Sequence, residues 1–182
     1  MERTEAVISA FCHTVNGMTM ILTIQITKRA DGAGVLRCLR QDASVTWQKQ
    51  SDRHAAFYAR HDLTHFAVES ALGFRRGFYG LIAAGWEIED TTGKGARGAL
   101  PSEAVEVEHI VGLFDGERAS GTVWTAAEFN QSTAAQAAAS GRPAPRQFSE
   151  AELARVRAVR ATLFSEWDAL APGGVLELRH EF

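Results

Sequence analysis

Two histidines four residues apart, His61 and His65, are the residues of this 182-residue chain whose type and spacing point most directly to chemistry. On a helix they lie about 40° apart around the axis and about one turn apart along it. Side chains so placed can close on one metal ion, the geometry of H-E-x-x-H helices. Here His61 is followed by Asp62, which points about 100° away on a helix. That makes it a poor metalloprotease base and a better partner to orient a neighbouring imidazole or arginine. His54 shares the sector of His61 nearer the helix start and is an outer candidate.

Glu69 follows His65 by one turn. It lies about 12 Å along the axis from His61, so it ligates only an ion seated near His65. Otherwise it is a supporting partner or the general base acting on metal-bound water. A further ligand must come from another element, and the third helix offers Glu103, Glu106, Glu108 and His109. Glu106 and His109 form an E-x-x-H pair on one helical face, as in bundle metal sites, and are taken as the ligands that complete the site. Between Glu87 and Glu117 eight acids face only Lys94 and Arg97, a local net of −6 that favours a cation. The plain alternative is a solvated acidic face.

Imidazole with carboxylate makes zinc the default divalent metal, although iron(II), nickel and manganese accept the same donors. The expected chemistry is activation of water or polarisation of a carbonyl in a small-molecule substrate, by a metal-dependent hydrolase or lyase with Glu69 as acid/base. The alternative is a non-catalytic binding or oligomerisation domain. There the histidines satisfy a buried network with Asp62, Glu69 and nearby arginines. A homo-oligomer is compatible with either.

The five residues His61-Asp62-Leu63-Thr64-His65 resemble the H-D-x-x-H signature of the ubiquinone-biosynthesis accessory family, in which a Glu follows at a distance. At that spacing this chain has Gly77. The resemblance implies a zinc-type site on His61, Asp62 and His65 near a lipid or quinone head group. That family is largely helical, whereas this chain begins with strands, so the likeness is that of a helix.

The elements that must position these residues follow from periodicity. Met20–Lys28 alternates apolar and polar residues as a half-buried strand does, and Val35–Arg40 and Val45–Gln50 add two short strands of an antiparallel meander. Ser51-Asp52 then caps a helix running to about Leu72, where Gly73 stops it. This helix carries apolar residues on both broad faces, which predicts burial. A second helical stretch covers Phe74–Ala84, and Pro101-Ser102 opens a third through about Phe114. Thr125-x-x-Glu128 and Ser149-x-x-Glu152 are capping boxes opening two more helices. Val175–Phe182 alternates again and closes the sheet. The expected fold is α+β: an antiparallel sheet of about four strands covered by about five helices. Residues 1–19 read as an appendage and 20–182 as one domain.

Gly93-Lys94-Gly95-Ala96-Arg97-Gly98 matches G-x-G-x-x-G in letters only, because no strand precedes it and no βαβ unit surrounds it. A loop or lid is the better reading, one whose Lys94 or Arg97 could meet an anionic substrate. Arg155, Arg157 and Arg160 read as solvated charge, and Trp47 and Trp86 as core. A net charge of −3 leaves no basic excess for nucleic acid. No apolar run reaches the roughly 20 residues of a membrane span. Two cysteines without a C-x-x-C pair suit a cytoplasmic protein with free thiols.

Overall fold

A computed structural model of the chain describes residues 19–49, 55–95 and 97–182. Three antiparallel strands come first: β1 (Ile21–Lys28), β2 (Gly34–Arg40) and β3 (Val45–Lys49). Five helices follow: α1 (Ala55–Leu72), α2 (Phe78–Ala83), α3 (Ser102–Ser120), α4 (Ala126–Ala139) and α5 (Glu150–Ala169). A 3₁₀ turn over Ile88–Thr92 lies between α2 and α3, and β4 (Val175–Glu181) ends the fold. The sheet order is β3-β2-β1-β4, so the C-terminal strand pairs with the N-terminal one, Ile24 opposite Leu178. The expected α+β architecture of four strands and five helices is thus observed. The caps Ser51-Asp52, the outer candidate His54 and residues 1–18 lie outside the described residues.

The period-2 pattern of the strands sorts the two faces of the sheet. Leu22, Ile24, Ile26, Leu36 and Cys38 are fully buried under the helices. The opposite face carries a polar row, in which Arg37 donates to Gln25 and Gln25 donates to Glu177. Trp47 also stands on this open side, 64% exposed, rather than in the core. On the covered side α1 packs against β2, α3 and α5. That explains its apolar residues on both faces: Ala59, Leu63, Ala67 and Val68 are all fully buried. Burying one such leucine contributes about 1.5–3 kcal/mol.

Boundaries depart from the sequence expectation where backbone groups find other partners. Phe74–Gly77 is not helical, and α2 begins only at Phe78. The amides of Arg75 and Arg76 donate to the Glu103 carboxylate instead of continuing a helix. In the other direction α3 passes Phe114 and reaches Ser120, where Gly121 in the left-handed region (φ 72°) ends it. Buried Arg40 ties the sheet to the α2 end. It donates to the carbonyls of Ile82 (2.7 Å) and Trp86. Arg155 is exposed, as expected of solvated charge, but Arg157 and Arg160 are not. Arg157 pairs with Glu117 at 2.6 Å, and buried Arg160 donates to the Phe114 carbonyl. No helix among the described residues is long and apolar enough to cross a membrane.

Both capping boxes form as their sequences require. Ser149 accepts from the Glu152 amide at 3.3 Å while the Glu152 carboxylate accepts from the Ser149 amide at 2.9 Å. Ser149→Ala should therefore lower stability by about 1 kcal/mol. Urea denaturation followed by circular dichroism measures this, and an unchanged midpoint would remove the cap from the factors holding α5.

Candidate metal centre

Helical spacing brings the two imidazoles together on α1. The Nε2 atoms of His61 and His65 are 3.2 Å apart. Glu108, from α3, adds its Oε1 at 3.4 Å from His65 Nε2. The ligand atoms of these three residues all lie within 4.8 Å of one another. Two donors bound tetrahedrally to one ion at about 2.0–2.1 Å are ~3.3 Å apart, so these separations suit a shared cation.

Behind the cluster, each imidazole presents its other nitrogen to a carboxylate. His61 Nδ1 is 2.8 Å from Oδ2 of the buried Asp115, and His65 Nδ1 is 3.6 Å from Glu69 Oε1. A proton shared between His61 Nδ1 and Asp115 leaves His61 Nε2 as a bare lone pair, the tautomer that a metal takes, whereas His65 Nδ1 makes no hydrogen bond and meets Glu69 only as a nearby charge. His65 is 1% exposed. Burial works against its charge, but Glu108 and Glu69 on either side overturn that and hold the imidazole up to about 10. Burial likewise opposes ionisation of Glu108, yet His65 draws its carboxyl below the ordinary range. Two lone pairs and a carboxylate converging on one point need a positive centre, either a proton or a metal ion.

Glu69 is placed differently from the expected acid/base. It is fully buried, and its carboxylate accepts from the amides of Tyr79 (3.1 Å) and Gly80 (3.0 Å) at the start of α2. It does not line the cleft. Its position makes it a brace for His65 and for the α2 N-terminus, where amide dipoles favour negative charge. Gly77 closes over it: a Cβ there would come within 2.5 Å of Glu69 Cδ.

Glu106 and His109 do not complete the cluster. They face a second, smaller cleft of about 130 Å³ beside α4 and the Pro143–Pro145 stretch. The helix period explains this: Glu106 is rotated about 160° from Glu108, and His109 about 100°. Asp115, seven residues after Glu108, is rotated only about 20°, so those two share the face toward α1. That pairing across two helical turns, matched to His61 and His65, was the signal the E-x-x-H reading passed over.

The cluster opens onto a cleft of about 490 Å³ between α1, α2, the 3₁₀ turn and the loop before α3. Asp62 lines this cleft with His61 and His65 rather than turning away from it. Its carboxyl makes no hydrogen bond to any described residue. Burial raises it to about 7, against the pull of the two imidazoles. Tyr58 is also on the lining. The glycine-rich loop is tied to the end of α2 by Arg97, which donates to the Gly85 carbonyl (2.7 Å) and lies over Trp86. Comparisons with protein-family models, with curated proteins and with solved structures find no match for this chain.

Gly77→Ala should destabilise the protein by about 1–3 kcal/mol, because the Glu69 carboxylate it meets is held by two amides and cannot retreat. Gly112→Ala on α3 meets nothing within 4 Å and should be neutral or stabilising by up to about 1 kcal/mol. Thermal denaturation of the two variants side by side checks the contrast, and equal melting points would show that Glu69 has room to move.

Proposed function

We propose that His61, His65 and Glu108 hold a divalent ion, zinc in the first instance, and that the chain is a metal-dependent hydrolase or lyase acting on a small molecule in the adjoining cleft. The observation that carries this reading is the three-point convergence of ligand atoms, with the far nitrogen of each imidazole directed at a carboxylate. Three protein ligands would leave a tetrahedral ion one position for water or substrate. An ion there lowers the pKa of bound water toward about 7 and polarises a substrate carbonyl. Asp62, buried and on the cleft lining, takes the acid/base role expected of Glu69, while Asp115 holds His61 in the ligating tautomer and Glu69 stands as a negative charge behind His65. The cytoplasmic setting suggested by the cysteine content suits zinc held by imidazole and carboxylate.

A second reading has its own support: the His65 Nε2 contacts to His61 (3.2 Å) and Glu108 (3.4 Å) are also those of a shared proton. In that case His65 is an imidazolium between Glu69 and Glu108, and the chain is a non-catalytic binding or oligomerisation domain.

Elemental analysis of protein purified without added metal, followed by zinc titration of the chelator-treated chain, separates the two. The metal reading expects one ion per chain, loss of binding in the His61→Ala/His65→Ala variant, and marked weakening in Glu108→Ala. Asp115→Asn should keep the ligands but cost about 10–100-fold in affinity through loss of the imidazole's carboxylate partner. Absence of metal uptake by the folded wild-type chain would leave the proton-sharing network.

A further inference from the structure

The walls of the 490 Å³ cleft discriminate by charge as well as by shape. Its size is that of a small-molecule site. Tyr58, Phe78, Ile88 and Leu100 supply apolar lining, and Thr91 and Thr92 add hydroxyl groups at the 3₁₀ turn. Among the described residues on this lining there is neither a lysine nor an arginine. Lys94, two residues after the lining Thr92, is exposed at the surface, and two arginines of bordering segments are engaged elsewhere. Arg97 is spent on the Gly85 carbonyl and the Trp86 ring, and Arg118 on Asp115 and the Phe57 ring. Acids dominate instead: Asp62 and Glu108 on the lining, with Glu69 and Asp115 directly behind the imidazoles.

A divalent ion at the cluster would be surrounded by more carboxylates than it can neutralise. A second anionic group on a substrate, such as a phosphate or a distal carboxylate, would find no cation among the described residues of the lining and several carboxylates around it. An aromatic or bulky aliphatic group would cover the apolar lining and release water from it. Resting on the metal-site reading above, we infer that the cleft takes an uncharged or cationic carbonyl compound bearing an aromatic or bulky apolar group, and rejects phosphorylated and carboxylated compounds.

Hydroxamates test this, because they share one metal-chelating head and differ only in what they present to the walls. Zinc uptake by the protein is measured first. The zinc-loaded protein is then titrated calorimetrically with acetohydroxamate, benzohydroxamate, para-carboxybenzohydroxamate and para-(aminomethyl)benzohydroxamate. Benzohydroxamate should bind about tenfold tighter than acetohydroxamate, from burial of the ring. The carboxylated analogue should bind about fivefold or more weakly than benzohydroxamate, and the aminomethyl analogue at least as tightly. Leu100→Lys places a cation on the lining and should reverse the order of the two charged analogues. Zinc uptake by this variant confirms that its site is intact.

Equal affinity for the acetyl and benzoyl compounds, tightest binding of the carboxylated one, or an order of charged analogues untouched by Leu100→Lys would each overturn the inference while leaving the metal site standing. Failure of the wild-type chain to take up zinc would overturn both together.

Discussion

Two imidazoles set edge to face one turn apart on a buried helix, His65 almost wholly out of water and His61 half-buried, leave four ring nitrogens to be satisfied, and much of the site answers to that constraint. His61 Nδ1 goes to Asp115, and His65 Nδ1 faces Glu69. The two Nε2 atoms meet each other and Glu108. Each carboxylate brought in to serve a histidine is itself a buried or half-buried charge that needs support. Glu69 finds it in the amides of Tyr79 and Gly80, which sets where α2 starts and why Gly77 bears no side chain. Asp115 finds it in His61 and in Arg118, 3.6 Å away. The polar chain thus runs from α1 into both α2 and α3.

The apolar framework makes those placements rigid. α1 is gripped on one side by the sheet and on the other by α3 and α5, so the helix that carries both histidines is held in place while His61 reaches the cleft. α3 runs antiparallel to α1, as the pairing of His61 with Asp115 and His65 with Glu108 requires. Arg160 and Arg157 of α5 hold α3 through the Phe114 carbonyl and Glu117, close to Asp115 in the chain. The C-terminal strand completes the sheet on which α1 rests. A cluster made of three side chains is therefore supported by elements drawn from most of the chain.

Much of this was legible from local pattern. The alternation of β1 and β4, the capping boxes of α4 and α5, and the glycine stop after α1 each depend on residues within a few positions of one another, and each forms as expected. The histidine pair is legible for the same reason: its convergence is a property of one helix. What misled the reading of α3 was a local motif taken out of context. Glu106 and His109 do share a face, but which face of a helix meets its neighbour depends on packing, not on the spacing of polar residues. Glu69 misled in a similar way. A Glu one turn beyond a histidine is a plausible base until α2 folds back and its amides claim the carboxylate.

The sequence by itself determined the α+β class, the elements, the burial of α1 and the placement of two imidazoles within reach of one ion, because all of these follow from periodicities along a single segment. Only the tertiary structure decided that Glu108 rather than Glu106 or His109 joins them, that Asp115 and Glu69 back them, and that Asp62 lines the cleft. Those outcomes depend on how helices far apart in the chain rotate to bury their apolar faces against α1, and a carboxylate's partners are whatever that rotation puts opposite it.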